Sequence, residues 1–336
     1  MNFRKLFIKH SVEKDIYDFR SFKSKNKPWL ILSSSKKNQN FYRDKSLAAM
    51  TGGIFLTETF DFAKYNFNIQ KIIDSFFGRG VQGVFINYVP SYTSKLDFDG
   101  LKAKNLCGFV GDHYNFSEKK DSFLDKQMFF KKVSWDFIVS AYPHTNAIVQ
   151  KALGHQYKFI DMPWAIDPLV FHDLKIERKF DIACIGALSE GKYPFRRAMR
   201  EWMVHESYLK SYKKSRVKGV NGADHDGAAF NVALNACRAA FTCASSMHYT
   251  LMKYFEIPAT GTLLFAEKTQ LYEAMGFVDG IHYVAVTPED FREKITLYLS
   301  KNYNDVVEKI IENAADFIMK NHTWDSRIKV FLKNFN

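Results

Sequence analysis

The chain has 336 residues, 46% of them hydrophobic and 25% charged, with a formal net charge of +12. That is too much chain for one small core and too apolar for disorder, so two folded domains are expected. Apolar runs such as GTLLFA and CGFV fall far short of the roughly 18 residues of a membrane span, and the four cysteines (Cys107, Cys184, Cys237, Cys243) form no CxxC pair, which disfavours a zinc knuckle or disulfide framework and favours a reducing cytoplasm.

The first segment, MNFRKLFIKHSVEKD, lacks an apolar h-region, so no secretory signal is expected. Residues 1–45 carry 12 Lys/Arg against 4 Asp/Glu, 12 − 4 = +8 of the net +12. A second basic run, KSYKKSRVKG (210–219), falls in a predicted loop. Such patches attract nucleic acid, an anionic membrane face or a phosphorylated substrate. Lys36, Lys37, Lys213, Lys214 and Arg216 are the candidate nucleic-acid contacts. A solvated lysine-rich surface explains the same charge.

In chain order, PWLILSSS (28–35), GVFINYV (83–89), LCGFVGD (106–112), DFIVSAY (136–142) and YKFIDMPW (157–164) read as strands. NIQKIIDSFF (68–77) and TNAIVQKALG (145–154) read as helices between some of them. MPWAIDPLVFHDLKIERK (162–179), with two prolines and no helical period, reads as an interdomain linker. KFDIACIGAL (179–188) is a strand ending at Gly186, and PFRRAMREWMVHESYL (194–209) is a helix. A helix AAFNVALNAC, a strand RAAFTCAS, a helix MHYTLMKYFEI, a strand GTLLFAE, a helix KTQLYEAMGF, a strand DGIHYVAV and a helix PEDFREKITLYLSK follow. Strands alternating with helices predict parallel sheets wrapped on both sides. Two such α/β domains imply a ligand cleft between them.

Several motifs are weak. GRGVQG (78–83) has dinucleotide-site spacing, but a helix precedes it and a strand follows, the reverse of the required order. DFD (97–99) and DHD (224–226) have the spacing of a metal–sugar-nucleotide motif, and turn chemistry explains them equally. Ten histidines show no HExxH pattern.

Three segments carry more. In CGFVGDHYNF (107–116) a strand ends near Val110 and exposes Asp112 and His113 at its C-terminal edge, where either could take a proton from an acceptor hydroxyl. In EGKYPFRR (190–197), Lys192, Arg196 and Arg197 crowd a helix start, an unfavourable place for cations unless an anion binds among them. Gly186, just before, lets a phosphate approach the backbone closely. In SSMHYTLMKYFEIPATGTLLFA (245–266), Ser245 and Ser246 suit an N-cap, with free N–H groups for a pyrophosphate. Lys253 and Glu256 lie three apart on one helix face. A lysine for phosphate and a carboxylate for vicinal hydroxyls fit a nucleotide; a solvent-facing Lys/Glu pair is the plainer explanation.

KYFEIPATGTLLFA, followed by GFVDGIHYVAV and NHTWDSRIKVF, resembles the C-terminal half of the GT-B nucleotide-sugar glycosyltransferases, particularly the spore-maturation-type glycosyl transferase group. MPWAIDPLVF and FDIACIGALSEGKYPFR share the likeness, which covers about residues 160–332. The resemblance implies two Rossmann-like α/β domains facing a cleft: residues 1–163 on the acceptor side, 164–320 on the donor side, and a C-terminal helix, 321–336, packing back on the first domain. It implies that Glu256 holds the ribose, that Lys253 and the 245–249 helix start, with Ser246, hold the pyrophosphate, and that Arg196 or Arg197 neutralises charge. Many relatives carry two glutamates with seven residues between them. Here His248, with Tyr249 beside it, stands at the first, so the stereochemical course stays open.

The implied activity is metal-independent transfer from a nucleotide sugar, a UDP-sugar in the first instance, with no cofactor required. The acceptor is either DNA carrying hydroxymethylated bases, as in phage and viral DNA modification, or a glycan or lipid-linked precursor at an anionic membrane surface. A third reading is a non-catalytic nucleotide- or nucleic-acid-binding module. The expected location is the cytoplasm of a bacterium or of a virus-infected cell, with no transmembrane segment. The oligomeric state is not implied.

Overall fold

Short apolar runs, buried on both faces in the central strands, build the first sheet. The computed structural model describes residues 16–20, 27–36, 39–78, 80–117, 121–214 and 227–335, so Lys37, Arg216 and the DHD run lie outside the described residues. Its strands are β1 (Ile16–Asp18), β2 (Trp29–Leu32), β3 (Ile54–Leu56), β4 (Gly83–Asn87), β5 (Leu106–Val110), β6 (Phe137–Ser140) and β7 (Lys158–Asp161), in the order β1-β3-β2-β4-β5-β6-β7. All pairs are parallel except β1 with β3. In β2 every residue is buried, because in a parallel sheet both faces meet helices. The helices are α1 (Gln39–Thr51), α2 (Ile69–Phe77), α3 (Tyr114–Ser117), α4 (Asp121–Lys132) and α5 (Asn146–Leu153).

The weak motifs of this half are turns. Gly78 ends α2 with its N–H on the Asp74 carbonyl, and the strand of GRGVQG starts at Gly83. A Cβ on Gly83 would lie 2.6 Å from the Trp29 ring, so this glycine seats an indole and not a phosphate. Asp97 accepts from Asn68 Nδ2 at 2.7 Å and from the Asp99 N–H at 3.0 Å, which is turn chemistry.

The second sheet holds β8 (Phe180–Ala183), β9 (Ser211–Tyr212), β10 (Cys237–Thr242), β11 (Leu263–Ala266) and β12 (Val284–Ala285), ordered β12-β11-β10-β8-β9 and parallel throughout. Around it lie α6 (Pro194–His205), α7 (Gly227–Asn235), α8 (Lys253–Ala259), α9 (Gln270–Ala274), α10 (Phe291–Leu299) and α11 (Asn304–Asn321); α12 (Trp324–Leu332) ends the chain's regular structure. Basic residues 210–214, expected in a loop, include the edge strand β9.

Contacts divide the chain into two units. One contains the described residues up to Lys36, Asn40–Pro163 and the stretch from Arg327 on; the other contains Gln39 and Trp164–Ser326. In the first, the rings of Phe331 and Phe335 pack on Trp29 at 5.5 and 4.9 Å. In the second, the segment read as a linker has no regular structure but buries Trp164, Ala165, Ile166 and Phe171.

Candidate donor site

The strand order of the second unit, read from β9, is second-first-third-fourth-fifth in chain order. The order reverses between β8 and β10, and open α/β sheets bind ligands outside the carboxyl ends of strands at such a point. The loop after β8 therefore matters most. Gly186 within it has φ +143°, a conformation side chains rarely adopt. A Cβ there would stand 2.9 Å from Arg196 Nη1 and 3.4 Å from Lys253 Cε. Gly186, Arg196 and Lys253, from three separate segments, thus meet at the reversal.

Arg196 is 2% exposed. Its Nη1 donates to the Ala187 carbonyl at 3.2 Å and its Nη2 to Thr242 Oγ1 at 3.4 Å, bridging the ends of β8 and β10. The guanidinium lies 4.2 Å from the Tyr193 ring centroid. Its Nε is buried without a hydrogen-bond partner. Among the described residues no carboxylate lies within salt-bridge distance of Arg196 or Lys253. Burial, then the Arg196 charge, pushes the Lys253 ammonium below its ordinary pKa, with Glu256 opposing. Two cations thus share one partly buried place, with Glu256 and Glu267 acting on them only through their fields.

Glu256 lies in the same short helix and is 6% exposed. Burial raises its carboxyl pKa, while Lys253 and a hydrogen bond from Gln39 act to lower it. The helix accommodates Pro258 because the carbonyl that a residue-258 N–H would have bonded, that of Tyr254, accepts from the Tyr272 hydroxyl at 2.8 Å.

The expected helix start at 245–249 is corrected. Residues 245–248 form a turn, with Ser245 and His248 at φ +64° and +54°, and α8 begins at Lys253. Ser245 Oγ accepts from the Met247 N–H at 3.3 Å, a local bond that competes with helix. Ser246 is therefore not an N-cap; it is exposed, and its N–H donates to the Lys192 carbonyl at 2.9 Å, tying the turn to the β8 loop. His248 is exposed and Tyr249 buried.

Arg196 and Arg197 part company because neighbours on a helix point about 100° apart. Arg197 is exposed and held by Glu190 at 3.1 Å and Glu201 at 2.9 Å, away from the cluster.

Glu267 escaped the sequence reading. It follows β11, and its Oε2 accepts from the Ala244 N–H at 2.7 Å, pinning the turn after β10. Burial raises its carboxyl pKa, against the Ala244 bond and the charges of His248 and Arg196. Its position directly after GTLLFA was the available signal.

In the first unit the strand order reverses between β2 and β4, where Asn87 Nδ2 donates to Ser33 Oγ at 3.1 Å. Asp112 and His113 sit one strand further on, after β5. Asp112 is exposed, within the field of Lys126. His113 is fully buried; its Nε2 is 3.2 Å from Ser140 Oγ and its Nδ1 2.8 Å from Thr145 Oγ1. With both ring nitrogens engaged it braces β6 to the helix entry, and the expectation that the strand end exposes it is corrected, since packing buries it.

Burial pushes the His113 pKa down to about 4. An unfolded histidine takes its proton near pH 6.5, so stability present above that pH is lost as pH falls towards 4, by up to about 3 kcal/mol. Urea denaturation between pH 7.5 and 5 should show this loss, and His113→Asn should flatten the dependence; equal slopes in both proteins would refute the assignment.

Lys36, Lys213 and Lys214 are exposed. Among the described residues there is no cluster of three His, Cys, Asp or Glu able to hold a metal, and no helix long and apolar enough to cross a membrane.

Residues 168–333 match the model of a family described as glycosyl transferase-like, a broader description than the spore-maturation-type group. No curated protein matches the chain in sequence. The fold is that of GT-B glycosyltransferases. Sucrose-phosphate synthase from Thermosynechococcus elongatus is similar with a TM-score of 0.57 at 12% identity, over 92% of this chain and 98% of that one. A glycosyltransferase from Rickettsia africae scores 0.56 at 11% identity, over 93% and 98%. An alpha-glucosyltransferase solved with UDP and a 13-mer DNA containing an HMU base also scores 0.56, at 10% identity over 92% and 99%.

Proposed function

We propose, for a chain whose residues 168–333 carry the glycosyl transferase-like family model, that the cradle at the β8/β10 reversal binds a nucleotide sugar, a UDP-sugar in the first instance, and that the sugar passes to an acceptor hydroxyl. The observation that carries this reading is the pair Arg196 and Lys253 around the Gly186 backbone, with no carboxylate among the described residues paired to either. A diphosphate supplies the missing charge. Glu256, one helical turn beyond Lys253, accepts the pentose hydroxyls.

Cleavage of the bond between the anomeric carbon and the phosphate oxygen leaves negative charge on the nucleoside diphosphate. Cations already fixed in a poorly hydrated place stabilise that charge without reorganising. Arg196, held by Ala187 and Thr242, is so fixed. We assign charge neutralisation to these side chains and not to a cofactor. Asp112 is the remaining candidate to take the acceptor proton.

For the acceptor, the surplus of positive charge and exposed Lys36, Lys213 and Lys214 support DNA with a hydroxymethylated base. The second reading, a glycan or lipid-linked precursor on an anionic membrane, is supported by α4, where Leu124 and Met128 are 41% and 58% exposed beside exposed Lys131 and Lys132. Labelled UDP-glucose with a hydroxymethylcytosine duplex is expected to give labelled DNA. Label in a glycan or lipid fraction instead selects the second reading. Nucleotide binding without turnover of UDP-glucose or other nucleotide sugars would favour the non-catalytic module.

A further inference from the structure

Glu256 is not held by its own helix alone. Its Oε1 accepts from Gln39 Nε2 at 2.9 Å, and Gln39 Oε1 accepts from the Trp324 indole Nε1 at 2.9 Å. All three side chains are buried. Gln39 stands 217 residues before Glu256 in the chain yet belongs to the same unit. An indole N–H can only donate, so Trp324 decides which end of the Gln39 amide is oxygen and thereby aims its nitrogen at Glu256. A carboxylate offers about four acceptor positions, and a charge-assisted bond takes one of them.

We infer that Gln39 is a positioning residue for pentose recognition: held by Trp324, it orients the Glu256 carboxylate so that its remaining acceptor positions meet a vicinal diol. The inference rests on the nucleotide reading above and adds a residue that touches no ligand. Without Gln39 the carboxylate can rotate towards Lys253, and its acceptor positions no longer present a matched pair.

The test compares UDP with 2′,3′-dideoxy-UDP by calorimetry on the full chain. The wild type should prefer UDP. Gln39→Leu should reduce that preference about tenfold and leave dideoxy-UDP affinity unchanged, since only the hydroxyl contacts are lost. Gln39→Glu keeps the shape and, when one proton is shared between the two carboxyl groups, the donor. Its preference should recover at the lower pH, where the pair keeps one proton, and fall as pH rises and both groups ionise.

If Glu256→Gln loses the preference while Gln39→Leu keeps it, the nucleotide reading stands and the role of Gln39 falls. If Glu256→Gln keeps the preference, the nucleotide reading falls and takes the inference with it. Should Gln39→Leu not fold, the pH profile of Gln39→Glu decides, and a pH-independent preference overturns the proposal.

Discussion

Arg196→Met is expected to lower nucleotide-sugar turnover by about 10²–10³-fold, the loss seen when one fixed donor to a developing anion is removed. The substitution keeps much of the apolar stem and deletes a buried charge whose Nε has no hydrogen-bond partner. Thermal stability should therefore hold or rise, because a buried cation without a counter-ion is costly. The loss should lie in kcat more than in KM, since charge on the diphosphate peaks as the sugar bond breaks. Arg197→Met is the control: its charge is spent on Glu190 and Glu201 at the surface, so activity should stay within about twofold. Equal losses in the two variants, or a collapse of folding in Arg196→Met, would contradict a phosphate-binding role.

Glu256→Gln should reduce UDP affinity by about 10–100-fold, as two charge-assisted hydrogen bonds to hydroxyls weaken to neutral ones. The same substitution should stabilise the free protein. Burial raises the Glu256 pKa, so the folded state holds this proton more tightly than the unfolded chain, and the ionised group opposes folding at neutral pH. That cost diminishes as pH falls through the raised pKa, while ribose binding weakens over the same window because the carboxylate becomes protonated. Paired measurements of melting temperature and UDP affinity against pH should thus move in opposite directions for this group, and Glu256→Gln should remove both trends. A variant that is both less stable and unimpaired in UDP binding would mark Glu256 as a structural residue only. Gain of stability on loss of a functional charge is the ordinary signature of an active site.

The layered α/β class was legible because its signals are local. WLIL, GVFIN, LCGFV and LLFA are apolar runs too short for helices and bounded by turn residues, and each became a buried parallel strand. Other elements carried no such signal. α1, QNFYRDKSLAAMT, mixes polar and apolar residues without a clean face, and β3 is three residues long, so neither was read. The predicted helix over MHYTLMKYFEI failed in its first half because Ser245 satisfied a nearby backbone N–H and the turn used left-handed positions at Ser245 and His248. A helical apolar period does not register that competition.

At the candidate site, residue chemistry nominated Gly186 at a strand end, Arg196 at a helix start, and Lys253 with Glu256 as a charged pair three apart on one helix face. Chemistry alone could not separate Arg196 from Arg197, or Asp112 from His113. Those pairs are adjacent in sequence, and only packing decided that Arg196 and His113 are buried while Arg197 and Asp112 are exposed. Gln39 was reachable only through the fold, since it meets Glu256 across 217 residues; Glu267, which pins a turn from a neighbouring strand, had its place after GTLLFA as its signal.

The amino-acid order by itself determined the alternation of strand and helix, the sheet type and the residues with unusual chemistry, because periodicity and turn propensity act over a few neighbours. Tertiary structure decided which of those residues share a site, which are braced and which are spent on the surface. Burial, electrostatic field and hydrogen-bond partnership depend on groups brought together from distant parts of the chain, and no local pattern encodes them.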